Sequence, residues 1–187
     1  MPPFLHSLPF YRSRTTVRCA GRTIYVYPYQ IVVWVAVSSI EDNREPPSFD
    51  KALPAVLDTG HTHNFAISPS QLMDLAGIAW NRLPLEGVER FYQGIPIPMR
   101  RANVWLFPNQ EGSRDLTDST KSPVLLELDE GIAVFGDGVA VGIAATSRLV
   151  AHRLPVLGLR GLVTNRLHLY IDPIAHTISA EQSPINA

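Results

Sequence analysis

Asp58-Thr59-Gly60 puts one carboxylate at the end of an apolar run, Ala55-Val56-Leu57, and shortly before another, Phe65-Ala66-Ile67. A buried strand ending in such a turn presents a single acid, able to serve in general acid–base chemistry. Gly60 suits a sharp turn and a close backbone approach. The Thr59 hydroxyl can brace that turn with a hydrogen bond. His61 and His63 stand two apart and would share one face of a strand. Two histidines and a carboxylate are zinc-ligand types. No further ligand follows at a metal-site spacing, and turn or surface histidines are commoner, so neither metal nor cofactor is expected. Ser68 and Ser70 lie near His63, as a nucleophile and base would. No Gly-x-Ser-x-Gly turn surrounds them, and helix capping explains Ser68 better.

The elements that must position this acid follow from composition and order. At 187 residues and 45% hydrophobic, the chain can bury a core as one domain. Sixteen prolines favour strands, turns and loops over long helices. The net charge of −1 points to no nucleic-acid partner. Cys19 stands alone, so no intrachain disulfide forms; this suits a reducing, cytoplasmic location, and a secreted protein without disulfides would look the same. The opening Met1-Pro2-Pro3-Phe4-Leu5-His6-Ser7 has no basic stretch followed by an apolar one, so no signal peptide is expected. The longest apolar run, residues 31–37, is far short of the roughly 20 residues a membrane helix needs, so no membrane is expected.

Residues 1–22 read as an N-terminal arm, 23–181 as a single domain and 182–187 as a tail. Residues 23–27 and 30–37 read as strands, the second buried on both faces because it does not alternate. The charged segment 41–51 reads as a loop. Ser68-Pro69-Ser70-Gln71 carries a cap, a proline at the first helical position and a capping-box glutamine, and Gly77 supplies the stop. Strands are expected over 83–92 and 95–107 around a Gln93-Gly94 turn, with Gly87 as a rival turn and Pro96 and Pro98 marking an edge. Residues 109–123 read as a mobile loop, and 124–128 and 132–135 as strands about an Asp129-Glu130-Gly131 turn. Residues 139–145 could continue the sheet, and 146–153 could form a helical turn or two. Residues 167–171 and 177–180 close the order as strands, and Trp34, Trp80 and Trp105 read as packing residues.

A second stretch bears on the acid. Val156-Leu157-Gly158, two apolar residues and a glycine, leads into a short helix at Leu159-Arg160-Gly161-Leu162. Together with Asp58-Thr59-Gly60 and the order of elements over about residues 24–180, it resembles the retropepsins, the retroviral-type aspartic proteases. The resemblance implies an all-β, retropepsin-like closed β-barrel with one or two short helices. In that family the apolar-apolar-Gly element supports the catalytic loop, a role that would fall to Val156, Leu157 and Gly158. A flap closes over substrate, and the matching residues are Tyr92, Gln93, Gly94 and Ile95; a plain surface hairpin is the other reading.

The implied activity is aspartic endopeptidase, with Asp58, Thr59 and Gly60 as the catalytic residues. Peptide hydrolysis of this kind activates water between two carboxylates that share one proton. The chain holds one Asp-Thr-Gly; Phe135-Gly136-Asp137-Gly138 lacks Thr or Ser after its Asp. A homodimer giving one Asp58 from each subunit is therefore expected, with a peptide or protein substrate. Two positions depart from the pattern. Retropepsins usually follow the glycine with Ser, Thr or Ala, where this chain has His61, and the arginine after the second glycine is displaced by one, to Arg160. His61 is expected to swing outward or to add positive charge beside the acid. The alternative is a catalytically inactive module of the same fold that dimerises or binds peptides.

Overall fold

The computed structural model describes residues 4–41, 45–87, 90–92, 95–135 and 154–183. The chain begins with β1 (Leu5–Pro9), β2 (Thr15–Cys19), β3 (Arg22–Val26), β4 (Ile31–Ser38) and β5 (Leu53–Asp58). Next come β6 (Phe65–Ile67), helix α1 (Pro69–Ala76), β7 (Arg90–Tyr92), β8 (Ile95–Ile97), β9 (Met99–Arg100) and β10 (Asn103–Leu106). It finishes with β11 (Val124–Leu126), β12 (Ile132–Val134), β13 (Val156–Gly158), helix α2 (Leu159–Thr164), β14 (Leu167–Asp172) and β15 (Thr177–Gln182). The chain is thus mostly β.

One curled sheet of eight strands, in the order β11-β10-β4-β5-β13-β6-β12-β9, carries the core. Its end strands β11 and β9 do not pair with each other among the described residues. β4 lies between β10 and β5, and residues 32–37 are all buried, as the lack of alternation predicts. β5 sits at the centre: antiparallel to β4 on one side, parallel to β13 on the other. Leu53, Ala55, Leu57, Phe65, Leu72 and Leu157 meet in the main apolar cluster.

Helix α1 forms where its start signals lie. The Ser68 side chain accepts the Gln71 N–H, and the Gln71 side chain accepts the Ser68 N–H, so two otherwise orphaned amides are satisfied. Gly77 ends the helix with φ +69°, the left-handed conformation that favours glycine.

Three expectations are corrected. The segment read as an arm belongs to the fold. β1 adds to β15 in a three-stranded β1-β15-β14 sheet, with Leu5 and Leu8 fully buried, and β2 pairs with β3. Ala20 and Gly21 both take positive φ between β2 and β3, the backbone of a tight hairpin, which an alanine does not advertise. Residues 109–123 are not loosely held. Asn109 is buried and bonds the His6 N–H and carbonyl, while buried Arg114 donates to the Thr16 carbonyl. Among the described residues, the strand expected over 83–92 appears as β7 alone: a 3-10 turn at Trp80–Arg82 precedes it, and Leu85 makes a single bridge to Arg100. Residues 139–145 and 146–153, with Gly136, Asp137, Gly138 and His152, lie outside the described residues, as do Gln93, Gly94 and 184–187.

Candidate active site

The strand β5 is buried from Leu53 to Leu57 and surfaces at its last residue, so Asp58, Thr59 and Gly60 are all exposed. The Asp58 carboxylate folds back on its own turn: Oδ1 accepts the Gly60 N–H at 2.8 Å. The Asp58 carbonyl accepts the His61 N–H at 3.2 Å. These two bonds hold the turn, and neither comes from Thr59. Gly60 is not needed for an unusual φ; a side chain there would press on Asp58 Oδ1 at 3.2 Å, so the glycine leaves room for the carboxylate.

The Val156-Leu157-Gly158 strand runs beside this acid, with Leu157 opposite Leu57 and Gly158 opposite Asp58. Gly158 donates its N–H to the Asn64 carbonyl at 3.0 Å, and Leu159 donates to the His61 carbonyl at 2.8 Å. Gly158 is glycine because of close approach: an added Cβ would lie 2.1 Å from the His63 carbonyl oxygen and 2.7 Å from that of His61. The loop between β5 and β6 is therefore clasped along its length by the start of α2.

His61 turns inward, contrary to both expectations for it. It is 9% exposed, and its ring packs on His63 at 5.3 Å and on Phe135 at 6.3 Å. Burial, with His63 as a lesser influence, pulls its pKa down to about 4 against the opposing pull of Asp58. The imidazole is thus neutral near pH 7 and brings no cation to the acid, and its Nε2 has no hydrogen-bond partner. His63 is also lowered, first by burial and then by the nearby guanidinium groups of Arg90 and Arg160. Among the described residues no group of three or more His, Cys, Asp or Glu side chains is arranged to hold a metal ion.

A neutral buried imidazole has a consequence for stability. The unfolded chain protonates His61 near pH 6.5 and the folded chain near 4, so stability is complete above the higher value and falls through that window as pH drops. The loss is expected to reach about 2–3 kcal/mol. Urea unfolding at pH 7.5 and 4.5 measures it, and His61→Leu should flatten the slope. Equal stability of the wild type at both pH values would contradict the neutral assignment.

Sequence reasoning missed a polar cluster behind the loop. Asn64, fully buried, donates to Asp129 Oδ1 at 2.8 Å. Arg160 grips Asp129 with bonds of 2.7, 3.1 and 3.2 Å and reaches Glu130 Oε1 at 2.8 Å. Its bonds with Asp129 hold that carboxyl at about 2. Arg90 of β7 also forms an ion pair with Glu130, sharing Oε1 with Arg160 and donating from Nε to Oε2 at 3.1 Å. The acids 129–130 sit in a segment that reads as a turn, and their partners are 30–65 residues away, so spacing carries no signal.

Of the tentative flap residues, Tyr92 and Ile95 are the last pair of the β7–β8 hairpin, in register with Phe91↔Pro96 and Arg90↔Ile97. Gln93 and Gly94 fall outside the described residues. β8 pairs only with β7 among those residues, which suits its Pro96. Compared with known proteins, the chain matches no family model, no curated protein and no solved structure.

Proposed function

We propose that this chain is a retropepsin-like aspartic endopeptidase whose site is completed in a homodimer by Asp58 from each of two subunits. The observation that carries the reading is the placement of Asp58: exposed at the end of a buried strand, one oxygen fixed by the Gly60 N–H, beside Gly158 of the parallel strand. A fixed Oδ1 leaves the other oxygen to meet water or a second carboxylate. Exposure of the whole Asp58-Thr59-Gly60 turn leaves it accessible to another copy.

Two such carboxylates about 3 Å apart cannot both ionise, so the pair holds one proton. The charged member takes a proton from water as it attacks the peptide carbonyl, and the protonated member donates to the carbonyl oxygen. Proton transfer reverses as the amine leaves, and no covalent intermediate forms. In this reading the Thr59 residues bond across the two-fold axis, and the eight-stranded sheet belongs to a closed barrel. The substrate lies extended, bound through its main chain, between the dyad and a flap at Tyr92, Gln93, Gly94 and Ile95. The single, buried Cys19 suits a cytoplasmic protein without disulfides.

One observation favours a second reading, an inactive module that dimerises or binds peptides. His61 fills the position after the glycine with a buried ring that packs on other rings, where the family's small hydroxyl would support the acid. Dilution separates the readings. A mixed peptide library is digested at mildly acid and neutral pH over a range of protein concentrations, alongside sedimentation. Specific activity should fall as dimer gives way to monomer. Full activity in a protein that sediments as a monomer at micromolar concentration rules out the shared pair, and a dimer that cleaves nothing supports the inactive module.

A further inference from the structure

The Glu130 carboxylate is 7% exposed and lies between two guanidinium groups from different elements, Arg90 of the β7–β8 hairpin and Arg160 of α2. A carboxylate so buried is stable as an anion only while both cations stay in place. The contacts run on without a break. Arg160 holds Asp129, Asp129 accepts from Asn64, and the Asn64 carbonyl accepts the N–H of Gly158, the residue opposite Asp58. Polar contacts therefore lead from the base of the hairpin to the strand alongside the acid. Gly131, the next residue, is pinned too: its φ is +68°, and a Cβ there would lie 2.3 Å from the Arg100 carbonyl oxygen. Glu130 is held by the backbone that carries it, so its position is not free to follow the hairpin.

We propose that Glu130 is a positioning residue: by joining Arg90 to Arg160 it fixes the β7–β8 hairpin relative to the Asp58 turn and so sets how tightly peptide is held. This rests on the endopeptidase reading for its effect on substrate. The mechanical part does not, and the two can be tested apart. Two exposed cation–acid pairs would drift independently; a shared, buried acid makes the two arginines move together. Arg101–Glu86, at 3.2 Å and more exposed, is a second tie near the hairpin but does not reach the site loop.

The test compares amide hydrogen exchange by NMR in the full chain for wild type, Arg90→Gln, Glu130→Gln and the double variant, without substrate. Exchange of the Arg90 and Ile97 amides, which face each other across the ladder, should quicken at least tenfold in each single variant and no further in the double, while β5 and β13 amides keep their protection. Arg90→Gln leaves the Arg160–Asp129 bonds intact, so it reports on the hairpin even if Glu130→Gln lowers global stability. Unchanged hairpin exchange in Arg90→Gln, or effects that simply add in the double variant, would overturn the proposal. Where the wild type cleaves peptide, Arg90→Gln should raise KM severalfold with kcat nearly constant. A fall in kcat at constant KM would overturn the link to substrate while leaving the tether. Absence of cleavage by the wild type would count against the endopeptidase reading, with the exchange result still deciding the tether.

Discussion

On the endopeptidase proposal, Asp58→Asn is expected to lower kcat for peptide cleavage by roughly 10²–10⁴-fold while the fold and the proposed subunit association are unchanged. The amide keeps an oxygen where Oδ1 accepts the Gly60 N–H, so the turn has its main bond. Asp58 is exposed, so the exchange strands no buried charge. What disappears is the acid. An amide neither takes up nor releases a proton near neutral pH, so two such residues cannot hold one proton between them. Progress curves on a peptide cut by the wild type measure the loss. Thermal midpoint and sedimentation show that nothing else has changed. Cleavage by Asp58→Asn at the wild-type rate would end the account, since no other described residue is asked to supply the acid.

Gly158→Ala should destabilise the chain by about 3 kcal/mol or more, a shift in Tm of roughly 6–12 °C for a domain of this size. The backbone at Gly158, φ −93° and ψ 171°, is open to any residue, so conformational strain is not the cause. The cause is space. The new methyl would meet the carbonyl oxygens of His63 and His61 at 2.1 and 2.7 Å, and both are backbone atoms that cannot rotate aside. Relief requires moving the loop away from α2, which breaks the Gly158–Asn64 and Leu159–His61 bonds. Two other glycines grade the effect. Gly161→Ala meets one backbone oxygen, of Asn64, at 2.8 Å and should cost less. Gly77→Ala meets nothing within 4 Å but carries φ +69°, so its cost is the left-handed strain of about 1 kcal/mol. Thermal unfolding of the three variants gives the order. A Gly158→Ala protein as stable as the wild type would mean that the clasp between α2 and the loop is not as tight as drawn.

Local signals in the sequence were reliable where the physics is local. Ser68, Pro69, Gln71 and Gly77 specify α1 through bonds within a few residues of one another. The unbroken apolar run of β4 announces burial on two faces. The Asp58 turn and the Val156-Leu157-Gly158 strand were visible as motifs, and their register, Gly158 opposite Asp58, needed the fold. Hydropathy failed where polar groups are buried through hydrogen bonds. Asn109 and Arg114 look like loop residues, yet their side chains carry bonds to β1 and to Thr16. Arg90, Glu130, Arg160 and Asn64 come from four separate segments, so no pattern along the chain joins them. The inward turn of His61 also had no linear sign, because it depends on space left beside His63 and Phe135.

The parallel pairing of β5 with β13 joins Val56 to Val156, and the outer sheet joins Leu5 to Ala180. Contacts so distant along the chain form slowly, because a long segment must be ordered before they repay its entropy. During synthesis the acid leaves the ribosome well before the glycine that lies against its loop. A nascent chain would therefore carry Asp58 without the strand that braces it, and the acid's loop could reach its final geometry only after residues 156–158 have been made.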